Sequence, residues 1–129
     1  IMENFLWPPP LHNFEGGTWP WLTQQLEATS DQKENSVVLL SHMPLFEGPG
    51  GLVTDEADQA VALFSHHEKA IWANLAGHLH VNSSMDWERA GIEVHVTDAT
   101  WDDVNRIRVV DVRANERRGH FSHRIENVD

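Results

Sequence analysis

The chain has 129 residues, with 20 acidic against 9 basic side chains and a formal net charge of -11. That length accommodates one domain with a real core, whereas the negative charge repels phosphate backbones and anionic lipid and so excludes a basic nucleic-acid-binding face. No apolar run approaches the roughly 18 residues of a membrane span. The absence of cysteine excludes disulfides, thiolate metal sites and cysteine nucleophiles together. Any metal must therefore use nitrogen and oxygen ligands, and nine histidines offer them. An anionic substrate would meet the chain's repulsion unless cations stood between them. The opening Ile1-Met2-Glu3-Asn4-Phe5 has neither the basic nor the apolar region of a secretory signal, which favours a cytoplasmic location.

Residues 1–17, with Trp7-Pro8-Pro9-Pro10 and Gly16-Gly17, are too rich in proline and glycine for regular structure and read as a loop. Thr18 is placed to cap a helix that tolerates Pro20 in its first turn, carries Trp19, Leu22 and Leu26 at helical spacing and ends near Thr29. After a polar connector, Val37-Val38-Leu39-Leu40-Ser41 has the continuous apolar character of a strand buried on both faces. His42-Met43-Pro44 breaks it, and Glu47-Gly48-Pro49-Gly50-Gly51 reads as a lid or rim. Ala57, Ala60, Val61 and Phe64 recur as in a second helix, from about Asp55 to His66. Ala70 to Ala76 forms a second apolar strand, terminated by Gly77-His78-Leu79-His80. Residues 81–88 and 92–97, joined by Arg89-Ala90-Gly91, predict a hairpin, and residues 106–113 and 119–125 predict another around Ala114-Asn115-Glu116. The chain thus divides into a loop (1–17), an α/β part bearing the histidines (18–80) and β-hairpins (81–129) of one domain.

Both apolar strands end in histidine, at His42 and at His78 with His80, and ligands gather at the carboxyl ends of strands in open α/β sheets. If the strands are parallel neighbours, the three rings can converge. Pro44 stiffens the first turn, and Gly77 frees the backbone before His78. Histidines two apart share a side only where the chain stays extended. Asp98, Asp102 and Asp103 read as solvated turn carboxylates. His66 and His67 suit a helix end, while His12, His95, His120 and His123 read as structural or surface. Trp19 and Trp72 have the spacing of buried residues, and Trp7 and Trp101 could line an opening.

The combination of Trp21, Leu22 and Leu26 on a helix, an apolar strand into His42-Met43-Pro44, and Leu75-Ala76-Gly77-His78-Leu79-His80 resembles the second half of calcineurin-like metallophosphoesterases. The resemblance runs from about Trp19 to the closing strands and implies part of a layered α/β sandwich. It also implies hydrolysis of phosphate mono- or diesters with a pair of divalent cations, manganese, iron or zinc. Carried over by motif, His42 and His78 would serve one cation and His80 the other. That family's Asp-x-His, Gly-Asp-x-x-Asp and Gly-Asn-His blocks have no counterpart in this sequence.

Two cations roughly 3.5 to 4 Å apart require a bridging anion, and neutral imidazoles compensate no charge. The expected reading is therefore the carboxy-terminal half of a phosphoesterase, whose partner is a missing amino-terminal half. Two alternatives stand beside it. One is a mononuclear zinc site of His42, His78 and His80. The other is a stand-alone, non-catalytic module that oligomerises, for instance as a homodimer, or binds metal.

Overall fold

A computed structural model of the chain describes residues 17–30, 36–99, 106–113 and 120–127, excepting the side chains of Ser30, Arg113, His120 and Phe121. The elements run α1 (Thr18–Ser30), β1 (Val37–Leu40), α2 (Thr54–His66), β2 (Ile71–Ala76), β3 (Ser83–Trp87), β4 (Ile92–Val96), β5 (Arg106–Arg113) and β6 (His120–Asn127). The architecture is mixed α/β. Four strands form one sheet in the order β1-β2-β4-β3, and β5 with β6 forms a separate two-stranded ribbon.

β1 and β2 pair in parallel, as do β2 and β4, while β3 is antiparallel to β4. The first predicted hairpin therefore forms, but its second strand also joins the parallel part of the sheet. Alternation alone does not predict that outcome. The hairpin reverses where Gly91 takes φ +69°, with its N–H bonded to Trp87 O at 3.0 Å. Glycine adopts this left-handed geometry without the Cβ penalty of other residues. The second hairpin pairs throughout, from Arg106 opposite Asn127 to Arg113 opposite His120. Its turn, like the loop 1–16, Trp7, Trp101, Asp102, Asp103 and His12, lies outside the described residues.

Trp19, Leu22 and Leu26 of α1 and Ala57, Ala60 and Phe64 of α2 meet Leu39, Ile71, Ile92 and Val94 in one core. Trp19 and Phe64 have ring centroids 6.3 Å apart, so the helices are neighbours on the same face of the sheet. Thr18 is the first helical residue and not the cap: Trp21 N–H bonds the carbonyl of Gly17 at 3.2 Å, which leaves Gly17 half outside the helix.

β1 departs from expectation as well. Among the described residues it is an edge strand, and Leu40 is 57% exposed. An apolar run of four residues matches a doubly buried strand but equally an edge strand whose second face meets no layer. Trp72, expected in the core, is only half buried. An open cleft of about 320 Å³ runs between α1 and β1, lined in part by Trp21, Leu26, Val38 and Leu40. Among the described residues no helix is long and apolar enough to cross a membrane.

Candidate metal centre

The two histidine turns lie side by side because their strands do. Ser41 N–H reaches Leu75 O at 3.2 Å, and Gly77 N–H reaches His42 O at 3.0 Å, so the parallel pairing of β1 and β2 continues past the last strand residues. This brings His42 Nε2 within 3.2 Å of His78 Nδ1, with the rings edge to face and both side chains exposed.

A single deeply buried amide sets that geometry. Asn74, fully buried in β2, accepts a hydrogen bond from Leu45 N–H at 2.9 Å through Oδ1. Its Nδ2 donates to Leu39 O at 3.2 Å and to Ser41 Oγ at 2.9 Å. The Ser41 hydroxyl in turn donates to Met43 O at 2.6 Å. The turn bearing His42 is thus tied at both ends to the strand that carries His78. Asn74 was legible only as the one polar residue inside an apolar strand, a position where an amide must be there for its hydrogen bonds.

The expected role of Gly77 is not what the backbone uses. Positive φ falls instead on His78 (+69°) and His80 (+52°). A Cβ on Gly77 would meet His42 O at an ordinary 3.9 Å. Leu79 N–H bonds Gly77 O at 2.8 Å, closing a three-residue γ-turn around His78 in its positive-φ form, which is rare and strained. Such strain costs about 1 to 3 kcal/mol and collects at ligand-holding sites. It also curls the chain, so the extended geometry that would put His78 and His80 on one side is lost. Among the described residues no group of three His, Asp or Glu side chains is close enough to hold one metal ion.

The loop after β1 forms a rim of this site. Glu47 is ion-paired with Arg89, which also holds Asp58 of α2 at 2.6 Å. Gly50, at φ +78°, presses on the His78 turn so closely that a Cβ would collide with Leu79 Cδ2. Glycine here meets both a left-handed backbone and a close approach.

Two neutral imidazole nitrogens 3.2 Å apart can share a proton as N–H···N, or aim two lone pairs at one cation. With metal–nitrogen bonds of about 2.1 Å, two ligands of one ion lie about 3.0 Å apart in cis-octahedral and about 3.4 Å apart in tetrahedral coordination. The observed pair fits half of a donor set. The compensating carboxylates are not beside it among the described residues.

The other histidines and carboxylates correct several expectations. His67 is buried, and its pKa is lowered, first by burial and then by neighbouring His66, which works against the helix-end cation expected of it. His95 is 2% exposed, because the ribbon covers the strand face that alternation marks as polar. Asp98 is no solvated turn carboxylate: its side chain is 5% exposed, pairs with Arg106 at 2.7 Å and accepts from Ala99 N–H at 3.0 Å. No protein-family model matches the chain, and no curated protein matches it.

Proposed function

We propose that this chain supplies histidine ligands to a metal-dependent phosphoesterase acting on phosphate mono- or diesters. One observation carries the reading: two exposed imidazoles with converging nitrogens, at the carboxyl ends of adjacent parallel strands, on turns anchored by a buried amide. His42 and His78 would bind one divalent cation, manganese, iron or zinc, and the resemblance assigns His80 to a second. Such cations supply Lewis acidity toward phosphoryl oxygens and a nucleophile at neutral pH. The chain's own residues hold and orient the ligands, and Gly50 over Leu79 gives the site an apolar rim on one side. The bridging carboxylates that a cation pair requires would come from a further length of polypeptide, forming with this one a layered sandwich.

Zinc titration of the chain by calorimetry tests the ligand assignment. Saturable uptake is expected to disappear in His42→Ala and in His78→Ala and to survive in His66→Ala, whose ring sits at the far end of α2. Uptake indifferent to both substitutions rejects the ligand assignment, and absence of uptake both by this chain and by a longer chain that carries the carboxylates rejects the reading.

A second reading, a non-catalytic oligomerising module, is favoured by the open edge of the sheet. There Leu40 and Trp21 are 57% and 47% exposed beside the α1–β1 cleft. An unpaired edge with apolar neighbours invites pairing with another copy. That module would sediment as a dimer at micromolar concentration and as a monomer after Leu40→Lys. A monomeric wild-type chain disposes of it.

A further inference from the structure

The ribbon meets the main sheet through a polar seam. Arg108 of β5 donates from Nε to Thr97 Oγ1 at 3.1 Å and from Nη2 to Val96 O at 2.7 Å and Ser83 O at 3.2 Å. Its Nη1 lies 2.7 Å from His123 Nδ1 on β6. The His123 ring packs on His95 of β4 with centroids 4.1 Å apart. His95 Nδ1 lies 2.8 Å from Ser84 Oγ on β3, and Nε2 lies 3.1 Å from Glu93 Oε2.

The donors and acceptors in this seam are fixed by chemistry. A guanidinium only donates, so His123 Nδ1 must accept, and it can do so only as a bare nitrogen of the neutral ring. A proton placed there sets donor against donor at hydrogen-bond distance and puts a cation against Arg108. His95 is satisfied when neutral, with Nε2–H donating to Glu93 and Nδ1 accepting from Ser84. A second charge on the stacked rings would repel both His123 and Arg108.

We propose that Arg108, His123 and His95 form a pH-operated latch, which holds the β5–β6 ribbon against the β3–β4 hairpin while both imidazoles are neutral and releases it when they gain protons. The charged and titratable groups facing His95 among the described residues are Arg108 from β5, His123 from β6 and Glu93 from its own strand; β3 contributes the uncharged Ser84. Glu93 favours the proton, but its side chain is 54% exposed, so solvent screens it. Burial, then His123, then Arg108 lower the pKa of His95. The unfolded chain therefore binds more protons below about pH 6.5, and latch stability, fully present at neutral pH, is lost as the pH falls from there toward the folded-state value. The latch bears on the histidine site as well: Val96 lies in register with Ala76, and Thr97 N–H bonds Ala76 O at 2.8 Å, immediately before Gly77 and His78.

Hydrogen exchange on the full chain, corrected for intrinsic rates, reads the latch directly. Between about pH 7.5 and about pH 5, protection of the β5–β6 amides is expected to fall at least about tenfold while that of β2 holds, as loss of a charged hydrogen bond implies. His123→Asn places an acceptor oxygen where Nδ1 was and cannot gain a proton, so its ribbon protection should fall clearly less than that of the wild type over the same range, the remaining fall being that of His95. Ribbon protection that is unchanged in the wild type, or that falls equally in His123→Asn, overturns the proposal. Histidine Cε1–H shifts followed by NMR on the wild type give an independent check should the variant fold poorly. The midpoint of ribbon opening must coincide with protonation of His95 or His123, and opening that tracks neither overturns the latch.

Discussion

Asn74→Ala is expected to cost the chain about 3 to 5 kcal/mol, because it strands several buried partners at once and leaves a small cavity. Leu45 N–H, in a residue with no exposure, loses the amide acceptor, and Leu39 O loses the amide donor. Ser41 Oγ keeps its bond to Met43 O but loses the donor that holds it in place. Removing one partner of a buried hydrogen bond costs the full desolvation of the group left behind, about 1 to 3 kcal/mol each. Urea unfolding followed by tryptophan fluorescence measures this. A loss below about 1 kcal/mol would mean that water or backbone adjustment replaces the amide, and that the His42 turn is held some other way. Zinc uptake by the same variant should weaken even where it remains folded, since the amide fixes the separation of the two imidazoles. Asn74→Asp separates the two sides of the network: it keeps the acceptor for Leu45 and buries a carboxyl that must take up a proton, which leaves a single O–H donor for Leu39 O and Ser41 Oγ where the amide supplied two N–H donors.

Phe64→Ala is expected to cost a similar amount, about 3 to 5 kcal/mol, for a different physical reason. Phe64 is fully buried, and its ring lies 6.3 Å from that of Trp19 and 6.4 Å, nearly edge-on, from that of Trp87. Its ring bridges α1 and the β3–β4 hairpin, so its loss opens a cavity where three elements meet. Each aromatic pair adds about 0.5 to 1.5 kcal/mol beyond area burial. Since a whole domain is stable by about 5 to 15 kcal/mol, this variant should populate the unfolded state measurably. Thermal unfolding by circular dichroism at neutral pH is the direct readout. Phe64→Leu, which keeps most of the volume, should recover more than half of the loss. If alanine and leucine behave alike, the cavity account fails.

The elements themselves were legible in the chain because each depends on local pattern. Ala57, Ala60 and Phe64 recur at helical spacing and are buried as that spacing requires. The alternation of Ile92-Glu93-Val94 puts Ile92 and Val94 in the core. The two histidine turns are likewise placed at strand ends by the sequence alone, since an apolar run stopped by His-Met-Pro or Gly-His says where a strand must stop. What local pattern could not convey was the state of the second sheet face. Leu40 and His95 are the clearest cases: the apolar one is exposed and the polar one buried, because β1 is an edge and the ribbon covers β4. Asp98 follows the same logic, buried by the arrival of Arg106 from a strand that begins eight residues later.

From composition and spacing alone come the helices, the strands, the two histidine-bearing turns and the exclusion of thiolate chemistry. These follow from the side chains and their immediate neighbours. The insertion of β4 beside β2, the convergence of His42 with His78 but not His80, the Asn74 clamp and the Arg108 seam emerge only when distant segments meet. Each is a contact between residues 29 to 36 positions apart or across separate strands. Pairing register and backbone strain such as the positive φ of His78 are settled there, by which neighbours are available to satisfy a buried donor or cover an apolar face.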